Sequence, residues 1–188
     1  MEAQPHTQMA KGSLLIASPD LEGVYFRGVI LICEHSHAGS FGLFINKNLD
    51  VAIPEELLDL KNAANPNVSL RSGGPIQPNQ MMLLHSCDKL AEQTLKVCDG
   101  VYLGGDIQFL QEALVDPMGP HLRLCFGYAG WGPGMLEREY FAGAWFLHPG
   151  SAKYIFETPV EKIWQTVLQD MGGKYATLSM IPEDLSLN

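Results

Sequence analysis

The chain has 188 residues, 46% apolar and 18% charged, the balance of a folded globular domain rather than a disordered or membrane-spanning one. Its 12 Lys and Arg against 21 Asp and Glu leave a net charge of −9. That balance disfavours non-specific nucleic-acid binding, which comes from Lys and Arg displacing the counterions of phosphate backbones.

The polar start MEAQPHTQMAK predicts a flexible tail over residues 1–11, followed by a single domain over 12–188. It lacks the positively charged and apolar regions of a secretory signal. No stretch approaches the ~18 consecutive apolar residues of a spanning helix, so the expectation is a cytoplasmic protein with no membrane contact. Cys33, Cys87, Cys98 and Cys125 form no CxxC pair and are expected as free thiols of a reducing compartment.

From Ser13 the pattern is strand-like: SLLIA, GVILICEH and FGLFINK, separated by breaks containing Gly and Ser. Pro54 followed by EELLDL predicts a short helix with Leu57, Leu58 and Leu60 on its apolar side. VSLR and MMLLH then flank the SGGPIQP break, and VYLGG, HLRLCFGY, GAWFLH and KYIF read as further strands. Asp106 is placed to cap a helix to Val115 with Ile107, Leu110 and Leu114 at helical spacing. A last helix is predicted from a Thr158, Pro159, Glu161 capping box. Its stripe is Val160, Ile163, Trp164, Val167, Leu168 and Met171, and Gly172 is its stop. Strands outnumber helices without strict alternation, which argues for an α+β fold.

Three stretches carry residue types suited to chemistry. In the first, Cys33-Glu34-His35-Ser36-His37 ends the most apolar strand, and an extended backbone would put Cys33, His35 and His37 on one face with Glu34 on the other. A thiol beside imidazoles suits a nucleophile or a metal, but a metal would need ligands from afar, such as His85 or Cys87. The plainer reading is a buried thiol and a hydrogen-bonded strand-end histidine. Second, Gly73-Gly74-Pro75-Ile76-Gln77-Pro78 permits close approach of a ligand or strand, but no Lys-Ser or Lys-Thr follows as in a phosphate loop. It reads more readily as a structural turn. Third, Gly127-Tyr128-Ala129-Gly130-Trp131-Gly132-Pro133-Gly134 reads as a glycine-rich loop ahead of a helix. Glu137 and Glu139 already answer that helix's positive end, so Tyr128 and Trp131 would offer a stacking surface rather than an anion site. His85, closing an apolar strand, is the best single candidate for a general base.

The segments LLIASPDL, FRGVILICEH, GLFINK, SGGPIQP, LLH and GYAGWGPGMLERE, in this order, resemble the YqgE/AlgH family of bacterial proteins over nearly the whole chain. The resemblance implies a single α+β domain with a bent, barrel-like mixed β-sheet and flanking helices, cytoplasmic and without an established reaction. Some members are described as transcriptional regulators, but no helix-turn-helix signal is present here. The family's shared surface, carried onto this chain, gathers Cys33, Glu34, His35, Asn46, Lys47, Gly73, Gly74, Pro75, His85, Tyr128 and Trp131. Asn48 stands where the family has the proline of NKPL, and Met135 where GQLE is typical.

The leading expectation is therefore a non-catalytic binding or regulatory protein, with no cofactor or metal, taking an unknown small molecule or protein. Glu34, Asn46, Lys47, Gly73, Gly74, Pro75, Tyr128 and Trp131 are its candidate ligand-binding residues. The alternative is a cysteine-dependent hydrolase or thiol-redox enzyme using Cys33 with His35 or His85. A third reading is an interaction module, with homo-oligomerisation, through the Tyr and Trp surface. The first requires the ICEH, GGP and YAGW segments to meet around a single hollow, and the second requires Cys33 within hydrogen-bond reach of His35 or His85 in a solvent-open one.

Overall fold

The computed structural model describes residues 8–49, 63–89 and 94–183. The helix expected after Pro54, with Leu57, Leu58 and Leu60, lies outside them. The described strands are β1 (Ser13–Ala17), β2 (Val29–Ser36), β3 (Gly39–Phe44), β4 (Val68–Ser72), β5 (Ile76–His85), β6 (Thr94–Cys98), β7 (Val101–Gly104), β8 (Leu122–Trp131) and β9 (Trp145–Pro149). They form one sheet in the order β6-β7-β5-β8-β3-β2-β1-β9, and β4 pairs with β8 outside that path. Only the β4–β8 pair is parallel. The sheet curls into a half-barrel: a Cβ on Gly12, just before β1, would stand 2.6 Å from the carbonyl oxygen of Val97 in β6. The fold is the α+β arrangement with a bent mixed sheet that the resemblance implied.

Both faces of the sheet are covered. Leu14, Ile16, Leu31, Cys33, Leu43 and Cys125 point to one side, under α3 (Ile163–Met171). On the other side Leu15, Ile30, Ile32 and Phe44 pack with Leu136 of α2 (Met135–Phe141). Further along that side Leu122, Leu124 and Phe126 pack with Phe109 and Ala113 of α1 (Ile107–Val115). A strand buried on both faces has no polar side to show, which is why VILIC is an unbroken apolar run. No described helix is long and apolar enough to cross a membrane.

Asp106 caps α1 as expected, its Oδ1 accepting from the Phe109 amide at 2.8 Å. The buried residues of α1, however, are Phe109 and Ala113, while Ile107 is 75% exposed. Gly172, at φ +71°, ends α3; α4 (Gly173–Leu178) follows at once and was not anticipated, nor was β6.

Three expectations are corrected. KYIF is a π-helix, Lys153–Glu157, with Tyr154, Ile155 and Phe156 all buried; consecutive buried residues fit a wide turn better than an alternating strand. Arg123 of β8 holds that turn, its Nη2 donating to the Phe156 carbonyl at 2.8 Å. Thr158 is not a helix cap. Its amide and hydroxyl both donate to the Lys153 carbonyl at 2.9 Å, closing the π-turn, so the last helix begins with a 3₁₀ turn at Val160–Lys162 and α3 proper at Ile163. Finally, the YAGW stretch is not a loop but the second half of β8.

Within β8, Gly127 takes φ +76°, a conformation that favours glycine, and shifts the alternation by one residue. Cys125 lies on the α3 side, but so does Tyr128, while Ala129 and Trp131 join the α2 side. The edge partner changes at the same point, with β4 along Leu122–Phe126 and β3 along Ala129–Trp131. Gly73 and Gly74 press into this switch. A Cβ on Gly74 would lie 2.1 Å from the Tyr128 carbonyl carbon, one on Gly73 2.2 Å from the Gly127 oxygen, and one on Gly127 2.2 Å from the Gly74 oxygen.

Gly74→Ala is therefore expected to lower the unfolding free energy by roughly 3 kcal/mol, because backbone atoms must separate to admit the methyl group. Gly134→Ala has a left-handed φ of +71° but open space around the site, and should cost only about 1 kcal/mol. Equal losses in urea unfolding would overturn the close-approach account.

Candidate functional site

A cavity of about 350 Å³ opens at the fork where β3 leaves β8 and β4 takes its place, lined by Gly23, Val24, Phe44, Asn46, Lys47, Asn48, Ser72, Gly74 and Pro75. Backbone bonds set its walls. The Phe44 amide donates to the Gly73 carbonyl at 2.9 Å, the Ser72 amide to the Lys47 carbonyl at 3.0 Å, and the Gly73 amide to the Phe126 carbonyl at 2.7 Å. Asn46 is a staple: its Oδ1 accepts from the Val29 amide and its Nδ2 donates to the Arg27 carbonyl, both at 2.8 Å. It thereby fixes the chain following the 3₁₀ turn Gly23–Tyr25 against the end of β3.

Lys47 projects between this cavity and a second one of about 260 Å³, lined by Phe26, Arg27, Asn46, Lys47, Val160, Glu161, Trp164, Gln165 and Glu183. Its ammonium donates to the Phe26 carbonyl and lies 6.0 Å from the Phe44 ring centroid. Burial lowers its pKa, with partial compensation from Glu183. Arg27 holds a left-handed φ of 51°. Its guanidinium stacks 4.5 Å from the Trp164 centroid and pairs with Glu183 at 3.6 Å.

Thus Asn46, Lys47, Gly74 and Pro75 come together as expected, with Gly73 directly behind. The ICEH segment does not join them. A bulge between Ile32 and Glu34 breaks the alternation that would have put Cys33 and His35 on one face. Cys33 lies on the α3 side, 0% exposed, its Sγ donating to the Leu31 carbonyl at 3.5 Å. His35 turns towards α2, its Nδ1 2.6 Å from Ser40 Oγ and its Nε2 3.5 Å from Glu137. Glu34 is exposed at the bulge. His85 is fully buried on the α1 side, against the rings of Phe109 (4.7 Å) and Tyr102 (5.8 Å), with its Nδ1 accepting from the Cys87 amide.

The sheet therefore separates Cys33 from both candidate bases. Burial, reinforced by Cys125 and Cys98, pushes the Cys33 thiol far up, and that of Cys125 rises to about 12 for the same first reason. A protonated, sealed thiol is neither nucleophile nor metal ligand, so the geometry gives the cysteine-enzyme reading no support. Burial likewise lowers the pKa of His85, keeping it neutral. Among the described residues no group of three or more His, Cys, Asp or Glu is arranged to hold a metal ion.

Residues 14–176 match the family model described as AlgH-like. The chain belongs to the AlgH-like family. It is 52% identical to a UPF0301 protein of Chlamydia felis, covering 100% of both chains. With a UPF0301 protein of Chlorobium limicola it shares 30% identity, over 96% of this chain and 97% of the other. A crystal structure of a Corynebacterium diphtheriae protein has the same fold (TM-score 0.76, 23% identity, 95% of each chain). So has the solution structure of the AlgH protein from Pseudomonas aeruginosa (TM-score 0.69, 24% identity, 98% of this chain and 100% of that one).

Within this AlgH-like chain the aromatic pair does not form a stacking platform. Tyr128 is half-buried, edge-on to Phe41 with centroids 6.1 Å apart. Trp131 is 8% exposed on the opposite side of the sheet. Glu139 Oε2 accepts from the indole nitrogens of both Trp131 (2.9 Å) and Trp145 (2.8 Å). Glu139, read from the sequence as answering a helix end, instead clamps α2 to the sheet. Reasoning from sequence passed over Val24, Phe44 and Ser72 as lining residues. Ser72 adjoins the GGP turn and could have been included on that ground; Val24 carried no signal.

Three outcomes follow for the described groups. Glu139→Leu leaves two largely buried indole N–H groups unpaired and should cost about 3 kcal/mol in urea unfolding, whereas Glu139→Gln, which keeps an acceptor, should cost clearly less. The raised thiols of Cys33 and Cys125 favour the folded state while protonated, a contribution present below the unfolded thiol pKa and lost as pH rises above it. Stability should fall from about pH 9 towards pH 12, and Cys33→Ser with Cys125→Ser should flatten that fall. In the native protein, mass-spectrometric mapping of iodoacetamide adducts should find Cys87 labelled well before either buried thiol; early labelling of Cys33 would restore the nucleophile reading.

Proposed function

We propose that this AlgH-like protein is a non-catalytic binding protein whose ligand, a small molecule, occupies the cavity at the β3–β4–β8 fork. The observation that carries this reading is the convergence of Asn46, Lys47, Gly74 and Pro75, drawn from two distant segments, on one hollow of about 350 Å³. That volume sits at the small end of ligand pockets, about 300–1,000 Å³. Its walls are preformed by backbone hydrogen bonds, which lowers the ordering cost of binding. The sealed Cys33 thiol and the separation of Cys33 from His35 and His85 support binding over covalent catalysis.

A regulatory role fits this reading and draws on the family resemblance. Occupancy of the fork would alter the surface offered to a protein partner or a second copy, in the cytoplasm. Direct regulation through DNA phosphates is disfavoured by the net charge of −9.

The test is a metabolite screen by amide chemical shifts on the full chain. A true ligand moves the amides of Asn46–Asn48 and Ser72–Gly74. Val24 lines the cavity yet is 58% exposed, so Val24→Trp should block the cavity with the fold intact and reduce binding at least about tenfold. Ligands that bind Val24→Trp as well as the native chain would refute this assignment.

A further inference from the structure

The two cavities that share Lys47 differ in charge. The one it shares with Arg27 also carries Glu161 and Glu183, two cations against two carboxylates. Among the described residues that line the fork cavity Lys47 is the only charged one, so they make this wall locally cationic in a chain of net charge −9. An ammonium has three donors, and among the described residues that of Lys47 has one hydrogen-bond acceptor, the Phe26 carbonyl. No carboxylate among the described residues lies within ion-pairing distance of its nitrogen. Ser72 and Asn48 also line the hollow, and neither side chain has a hydrogen-bond partner among the described residues. The remaining wall is apolar, from Val24, Phe44 and Pro75.

We infer that the fork cavity binds a small ligand through one anionic oxygen group, held by Lys47 with Ser72 and Asn48, while an apolar body rests on Val24, Phe44 and Pro75. The inference rests on the proposed function and names the chemistry of its ligand. Glu183 compensates the burial of the Lys47 ammonium only in part; a partly desolvated charge with no direct ionic partner is costly, and an incoming oxyanion supplies one through charge-assisted hydrogen bonds. Burial already disfavours the charged form of Lys47, so anion binding should raise the pKa of this amine. A single anionic group, rather than a polyanion, suits one cation in an otherwise acidic protein. Carboxylate and phosphate share this chemistry, and the experiment separates them.

The test titrates the isotope-labelled full chain with benzoate, phenyl phosphate and the neutral isostere benzamide, following the amides of Lys47, Asn48, Ser72 and Gly74. At least one of the two anions should shift them saturably, with benzamide at least about tenfold weaker. The tighter anion identifies a carboxylate or a phosphate ligand. Lys47→Gln should weaken the anion at least about tenfold, Lys47→Arg should retain it, and Ser72→Ala, which disturbs no protein hydrogen bond, should weaken it severalfold. Equal binding of benzamide and benzoate would overturn the anion inference. So would the absence of any shift with either anion at about 10 mM, or Lys47→Gln binding like the native chain. In these cases the cavity's role as a binding site still stands or falls by the screen and by Val24→Trp.

Discussion

The structure turns on a contact between backbones. Gly73 and Gly74 meet Gly127 and Tyr128 so closely that a methyl group at any of the three glycines would lie within 2.2 Å of a main-chain atom across the gap. This contact lets β4 end against the middle of β8, where β8 has just shifted its side-chain alternation at Gly127. If the two segments were held a few ångströms apart, β4 could not hand its place along β8 to β3, and the fork would close or widen. The cavity is therefore a by-product of how one sheet changes edge partners.

That origin explains why cavity-lining residues and core residues are so intermixed. Asn46 spends its amide on Val29 and Arg27 and Phe44 belongs to the buried layer under α2, yet both line the hollow. Among the described lining residues, Lys47, Asn48 and Ser72 carry the polar side chains with hydrogen-bonding capacity to spare. A site built this way needs few dedicated residues, because β-sheet hydrogen bonds already hold its walls.

Much of the architecture was legible because the physical signals are local. Unbroken apolar runs such as VILIC mark strands covered on both faces, Asp106 has the side chain a helix start requires, and Gly172 stops α3. What was hidden depends on partners remote in sequence. Nothing in KYIF announces that Arg123 will take the Phe156 carbonyl and stabilise a π-turn. The glycines of GYAGW resemble a loop because their strand neighbours are invisible in one dimension. At ICEH the even spacing of Cys33 and His35 predicted a shared face, and one bulge reversed it. Of the residues that the family resemblance groups, those of the GGP and NK segments lie together, and the structure supplies the physical reason, a ladder of main-chain bonds from Phe44 to Gly73 and from Ser72 to Lys47.

Burial acts on Cys33 and on Lys47 through the same desolvation, with opposite functional meaning. Both groups pay to be charged away from water, and a thiol answers by remaining protonated, which costs the fold nothing and leaves no reactive species. An amine that lost its proton would instead forfeit the charge that makes it useful in an acidic protein. Glu183 offsets the desolvation of Lys47 only in part, and a half-buried ammonium at the rim of a preformed hollow is placed to take a closer counter-ion. Reactive-looking residues in the sequence are thus no guide to function until their depth is known: here the thiol is a packing element, and the lysine, singled out in the sequence by family resemblance alone, is the group whose charge the fold compensates only in part.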